Sequence, residues 1–300
     1  MPISTFRWII ATILVAGALG VGSIVFFRWS SKVPEPTTEK NVGQEGSARR
    51  SVIGTSVEGR MIEAFTYGTG TTTKLLFVGG IHGGYEWNSV LLAYAFMDYL
   101  DANPNAIPTN LTLTVIPSAN PDGVYRIIKR EGRFFATGAP VKEKTVSGRV
   151  NAHDVDLNRN FDCNWKATST WQGNIVSAGS APFSEPEAKA IRSFVLNSHP
   201  DAVIFWHSQA GAVYASECKN GILPKTLDIM NAYAGAATYS AVESFDSYEI
   251  TGDSEGWLAS IGIPAITVEL QTHETIEWER NLAGIKALFA YYTRREGGRP

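Results

Sequence analysis

Lys74 to Leu100 reads KLLFVGGIHGGYEWNSVLLAYAFMDYL. The run Leu75–Val78 is wholly apolar and closes on Gly79-Gly80, the pattern of a buried strand that feeds a loop at its C-terminal end. From Asn88 to Leu100 the apolar residues fall at helical spacing, with Asn88 or Ser89 placed to cap the start. A strand, a glycine-rich loop and a helix in that order are the opening unit of an α/β domain. Working outward, LTLTVI (Leu111–Ile116), AVIFW (Ala202–Trp206) and AITVEL (Ala265–Leu270) are further strands of the buried type. Glu185–Asn197 and Thr275–Arg295 read as helices, and Pro117–Gly123 (PSANPDG) as a turn. Strands alternating with helices predict one α/β domain with a parallel or mixed sheet. No internal repeat and no second domain interrupt it.

The composition agrees. The chain is 44% hydrophobic and 18% charged, enough apolar material for a large core. A net charge of −3 without a Lys/Arg cluster excludes a nucleic-acid footprint. Before the domain, residues 1–7 form a short flank and WIIATILVAGALGVGSIVFF (Trp8–Phe27) carries no charge. A helix needs about 20 apolar residues to cross a bilayer, so residues 8–27 are expected to anchor the chain in the lipid bilayer. A cleaved signal sequence is the competing reading, with Ala16-Gly17-Ala18 as its cleavage site. Residues 28–50, rich in Ser, Pro, Glu, Lys and Gly, read as a flexible linker, and residues 51–300 as the folded domain. Cys163 and Cys218 have no zinc-ligand spacing; they are either a disulfide in an oxidising compartment or two buried thiols.

Chemistry concentrates at the ends of the predicted strands. His82 follows the first strand with glycines on both sides, and Glu86 stands four positions on. His207 follows AVIFW at once, and Glu269 sits in the otherwise apolar AITVEL. A carboxylate in such a strand is costly to bury unless it has a partner or a task. Between them, Arg149–Phe161 (RVNAHDVDLNRNF) carries Asp156 two residues before an Asn158-Arg159 pair. Arginine grips a carboxylate through two parallel N–H···O bonds, so that pair is a candidate carboxylate clamp. Each residue alone has an ordinary structural explanation. Their common address is what singles them out.

In order and chemistry these segments resemble the zinc carboxypeptidase family, the carboxypeptidase A-like metallocarboxypeptidases, over about Leu75–Leu270. The resemblance implies an α/β/α sandwich around a mixed, eight-stranded sheet and one Zn²⁺ per chain. His82, Glu86 and His207 would be its ligands, with Asp156 behind the first histidine. Asn158 and Arg159 would hold the substrate's free terminal carboxylate, Glu269 would act as general base, and Tyr248 would close over the peptide. Arg149 is the expected oxyanion stabiliser, with Arg130 and Arg133 as alternatives. One departure stands out: three residues separate His82 from Glu86, where the family has two, and Gly83-Gly84 is expected to absorb the extra one.

Glu255, seven residues after Tyr248, falls where the family places the floor of the terminal side-chain pocket, with Asp253 beside it. An acid there implies a leaving residue with an amine or guanidinium, such as Lys, Arg or the diaminopimelate of cell-wall peptides. The sequence thus predicts a membrane-anchored carboxypeptidase working outside the cytoplasm on peptides. Two readings compete with it: an amide deacylase of the same fold, succinylglutamate desuccinylase-like, and a non-catalytic, membrane-tethered binding module. His153 and His199 carry no predicted role; His273, four residues after Glu269, is a candidate for support of the site.

Overall fold

The computed structural model describes residues 48–137 and 144–296. Its centre is an eight-stranded sheet. In chain order the strands are β1 (Arg49–Thr55), β2 (Met61–Tyr67), β3 (Thr73–Val78), β4 (Leu111–Ile116), β5 (Ala202–Ser208), β6 (Ala212–Ala215), β7 (Ser240–Val242) and β8 (Ala265–Leu270). They lie side by side as β1-β2-β4-β3-β5-β8-β6-β7. The run β4-β3-β5-β8 is parallel, and β1, β2 and the β8–β6 pairing supply the antiparallel contacts. The sheet is therefore mixed and eight-stranded, as the family resemblance implies, where the strand–helix alternation alone left parallel or mixed open.

Side chains alternate across a strand, and β3 shows the consequence. Leu75 and Phe77 enter the core covered by α1 (Trp87–Ala102), α4 (Pro224–Ala237) and α6 (Trp278–Glu296). Leu76 and Val78 face the other way, against α3 (Pro186–Ser198) and α5 (Ser254–Ser260). Every residue of β5 is buried, because helices cover both faces of it. Phe77 ties the first core together, its ring centroid 5.0 Å from Phe96 and 5.3 Å from Trp206.

Three boundaries differ from expectation. Arg49 and Arg50 already pair with Thr66 and Phe65, so the folded part begins inside the predicted linker. The expected turn at Pro117–Gly123 instead starts a helix, α2 (Pro121–Ile128). Asn120 caps it by accepting the Gly123 N–H, and a proline at the first helical position has no hydrogen bond to lose. Neither Asn88 nor Ser89 caps α1, which begins at Trp87. Asn88 donates to the Thr272 and Thr275 carbonyls, and Ser89 accepts from Gly80 N–H while donating to Glu86. The apolar run 8–27 lies outside the described residues, among which no helix is long and apolar enough to cross a membrane.

Candidate metal centre and active site

The parallel strands β3, β5 and β8 deliver three reactive groups to one end of the sheet. His82 follows β3 by a short loop. His207 lies within β5, and Glu269, on β8, is its direct neighbour in the parallel register. Glu86 arrives through a single 3₁₀ turn, Gly83–Glu86. Gly83 has φ +48°, and a Cβ there would sit 2.6 Å from the Gly148 carbonyl. Only glycine fits that approach, which is how the extra residue between His82 and Glu86 is accommodated. Donor atoms of His82, Glu86 and His207 all lie within 4.8 Å of one another, and all three residues are buried.

A metal fits this donor set. His82 Nδ1 is buried without a hydrogen-bond partner, although Asp156 Oδ1 is 3.3 Å away. Two imidazoles and a carboxylate are a common zinc ligand set that leaves a fourth position for chemistry. Burial alone would raise the Glu86 carboxyl, yet His82 and His207 outweigh it and hold the group at about 2. Glu86 is thus ionised, as a ligand must be. Burial and the Arg149 charge lower the His82 imidazole, which favours the neutral ring that offers a lone pair.

Around the triad stand the supporting charges. Arg149 donates from Nε to Asp156 Oδ2 at 3.0 Å, its Nη2 is 3.0 Å from the same oxygen, and its Nη1 is 3.7 Å from Glu86. Burial disfavours the Asp156 anion, but Arg149 and His82 prevail and keep it far below the usual carboxylate range. The geometry places Arg149 in the site and takes the other two arginines out of it. Arg133 pairs with Asp98 at 2.6 Å, and Arg130 lines a separate hollow beside α2. Glu269 has a buried oxygen without a partner. Burial, reinforced by Glu86, pushes its carboxyl up to about 8.

His82, Glu86, Arg149, His207 and Glu269 line one cavity of about 540 Å³, together with Asn158, Arg159, Tyr248, Asp253 and Glu255, while Asp156 lies buried behind them. Asn158 Oδ1 accepts from Ser254 N–H and Oγ, both at 2.8 Å, so its amide NH₂ is what it offers the cavity. Arg159 is braced by the Asn158 and Thr170 carbonyls, and its Nε is buried without a partner. Tyr248 packs edge-on against Phe245, and burial raises its phenol, which keeps the proton at neutral pH.

The family model for zinc carboxypeptidases matches residues 44–297. The chain belongs to the zinc carboxypeptidase family. Among relatives of this zinc carboxypeptidase, the gamma-D-glutamyl-L-diamino acid endopeptidase 1 of Lysinibacillus sphaericus is 25% identical over 247 residues, 73% of this chain and 59% of that protein. Human carboxypeptidase O is 28% identical over 230 residues, 69% of this chain and 60% of its own. The alignments thus span about three-fifths of the length of these relatives. Murein-tripeptide amidase from Escherichia coli O157 has the same fold, with a TM-score of 0.60 at 22% identity, covering 85% of this chain and 96% of that one.

Several features of the zinc carboxypeptidase site are not legible in single residues. Glu255 lines the cavity, and it also lies 3.1 Å from His207 Nε2 while accepting from Thr267 and sharing the single Ser254 hydroxyl proton with Asn158. Tyr85 and Trp171 form part of the wall, their rings 5.2 Å apart, with the Arg149 guanidinium 4.4 Å from the Trp171 ring centre. Tyr85 had one signal, its place between Gly84 and Glu86; Trp171, in a hairpin, had none. Cys163 and Cys218 are joined as a disulfide at the cavity edge. His153 is outside, paired to Glu185 at 2.7 Å, and His199 ends α3 with φ 50°. His273 is inside, held to Ser208 Oγ at 2.8 Å.

Proposed function

We propose that this chain is a zinc-dependent carboxypeptidase that hydrolyses the last peptide bond of peptides ending in an amine-bearing residue, in the manner of Lys, Arg or diaminopimelate. The observation that carries the reading is the pairing of Glu269 with His207 across two parallel strands. It sets a base beside the metal triad in the cavity that also contains Asn158 and Arg159.

Zinc, when bound, supplies a Lewis acid and brings the pKa of water down to about 7. Glu269 is the residue placed to take a proton from the attacking water and to return it to the leaving amine. Arg149, fixed by Asp156, offers a preorganised positive charge to the oxygen of the tetrahedral intermediate. The amide of Asn158 and the guanidinium of Arg159 receive the terminal carboxylate and set the register, so the bond attacked is the last one. Tyr248, protonated, adds a donor above the substrate.

Preference for an amine is supported by the acids of the cavity floor. Burial and the charge of Glu255 raise the Asp253 carboxyl to about 6, so a cation nearby would favour its ionised form. The names of the Lysinibacillus and Escherichia coli relatives, an endopeptidase for a diamino acid and a murein-tripeptide amidase, point to the same substrate class. The disulfide suits an oxidising, extracytoplasmic compartment, with residues 8–27 as the proposed bilayer anchor. The intact Asn158-Arg159 clamp favours a carboxypeptidase over a deacylase or a binding module.

The test is zinc quantification on the purified protein with a panel of peptides that differ only in the last residue or in amidation of the C-terminus. One equivalent of zinc, chelator-sensitive release of terminal Lys or diaminopimelate, and loss of cleavage on amidation are expected. Equal cleavage of amidated and free termini would remove the carboxypeptidase reading.

A further inference from the structure

Trp171 is a large aromatic side chain that belongs to neither hydrophobic core. It stands at the tip of a hairpin outside the central sheet, Thr168–Trp171 paired with Asn174–Ser177 across Gln172-Gly173. Of those eight strand residues only Ser169 is buried, so core packing does not account for the hairpin. Polar contacts with the site do. The Ser177 carbonyl accepts from Asp156 N–H at 2.9 Å, and the Thr170 carbonyl accepts from Arg159 Nη2 at 3.4 Å. Ser169 Oγ accepts from Thr251 Oγ1 at 2.9 Å, in the segment that follows Tyr248. The hairpin is thereby fastened to the clamp and to the carboxylate behind Arg149.

Trp171 reaches Arg149 itself. The guanidinium carbon lies 4.4 Å from the indole ring centre, inside the limit of about 6 Å for a cation–π contact. Tyr85, one residue before Glu86, meets the same indole edge-on at 5.2 Å and so fixes its place. The contacts on Arg149 divide the work. Asp156 takes Nε and Nη2, while Nη1 lies 3.7 Å from Glu86, beside the metal triad. Hydrogen bonds along one edge leave the group free to swing. A guanidinium also stacks on aromatic rings and is weakly hydrated, so an indole against it limits the swing and keeps water off it.

We propose that Trp171 is a positioning residue for hydrolysis: its indole fixes and dehydrates the Arg149 guanidinium, so that the charge is presented to the oxygen of the tetrahedral intermediate. It acts through Arg149 and does not touch the reacting bond. The inference rests on the carboxypeptidase reading for the oxygen that Arg149 serves. An interaction made only in the transition state is lost from kcat and leaves KM nearly unchanged.

The experiment compares Trp171→Leu and Trp171→Phe on benzoyl-Gly-Lys and benzoyl-Leu-Lys. Trp171→Leu should lower kcat about three- to thirtyfold at nearly constant KM, by the same factor on both peptides. Trp171→Phe, which keeps a ring, should recover part of the loss. A mere wall for the substrate would raise KM instead, and more for the leucyl peptide. Without turnover, zinc-loaded Trp171→Leu should bind a phosphonate analogue of the peptide, tetrahedral and anionic, more weakly by the same factor. In the metal-free wild type, Arg149 Nε–H, assigned by its loss in Arg149→Lys, should show nuclear Overhauser contacts to the Trp171 ring, a readout that needs no Trp171 variant to fold. Its resonance should move in Trp171→Leu and return part-way in Trp171→Phe. Unchanged kcat with KM raised alone, or an Arg149 resonance without contact to the ring, overturns the proposal. Should neither peptide be cleaved while the contact is seen and phosphonate binding weakens, the activity reading fails and the positioning role stands.

Discussion

His207 Nε2 lies 3.1 Å from Glu255 Oε1, with Glu86 on the other side of the ring. The contact gives a residue expected to read the substrate a second occupation. Ser254 and Thr267 hold the carboxylate against the imidazole, and His207 outweighs the burial that would otherwise raise the acid, leaving it at about 2. Carboxylates behind metal-bound histidines fix ring orientation, and their loss typically costs 10–100-fold in metal affinity. Glu255→Ala is therefore expected to weaken zinc binding by about that factor, measured by competition with a chelator of known affinity. Unchanged affinity with a lost preference for terminal Lys would assign Glu255 to the substrate alone.

Asp156 is the second such carboxylate, and its main partner is a cation. Both oxygens are buried, and Arg149 holds one of them through two nitrogens. Removing one member of a buried pair leaves the other charge without compensation, at a cost of about 3–5 kcal/mol. Asp156→Ala is expected to lose that much in urea unfolding of the metal-free protein, and zinc affinity with it. A loss below about 1 kcal/mol would mean that solvent compensates Arg149.

Glu269 makes the stability of the metal-free protein depend on pH. Its folded pKa is raised, from 4.5 to about 8, chiefly by burial and then by Glu86. A carboxyl raised on folding binds more protons in the folded than in the unfolded state, so its contribution is fully present below pH 4.5 and is lost as pH rises through about 8. Glu269→Gln should flatten that decline, by an amount on the order of a few kcal/mol between pH 5 and 8. Zinc, a nearby positive charge, should lower the Glu269 pKa. The acid limb of kcat/KM for the loaded enzyme should consequently lie below 8. Chemical denaturation across pH, with and without zinc, checks both statements. Parallel pH curves for wild type and Glu269→Gln would sink the first.

The parallel centre of the sheet was legible because β3, β4, β5 and β8 are apolar runs of the right length, whereas β1, β2, β6 and β7, more exposed or shorter, and the helices α4 and α5 were not read. Leu111–Ile116 and Ala265–Leu270 occur as read. Ligand candidates were legible because His82, His207 and Glu269 stand at or in such runs. What escaped were relations that only packing creates. Asn88 looks like a helix cap and instead serves the Thr272–Thr275 turn. Pro121-Asp122-Gly123 looks like a turn and starts a helix, since Asn120 supplies the cap. Nothing local to Glu255 tells that it reaches His207, and Trp171 enters the cavity wall from a hairpin with no chemical signature of its own.

The disulfide offers a test that couples fold to site. It joins residues 55 apart in sequence, Cys163 beyond the clamp loop and Cys218 beyond β6. Closing a loop of that size stabilises by about 4 kcal/mol in the chain-entropy account. The loop containing Cys163 also carries backbone bonds to the segment after Tyr248, from Gly252 N to Cys163 O and from Phe161 N to Gly252 O. Loss of the bridge should therefore loosen the clamp more than the triad, which rests on β3, β5 and the turn at Gly83–Glu86. A Cys163→Ser/Cys218→Ser variant is expected to melt about 10 °C lower and to show a raised KM with a smaller change in kcat. Calorimetry and steady-state kinetics on a peptide ending in Lys measure both. An equal fall in kcat at unchanged KM would place the bridge's influence on the catalytic groups and not on the carboxylate clamp.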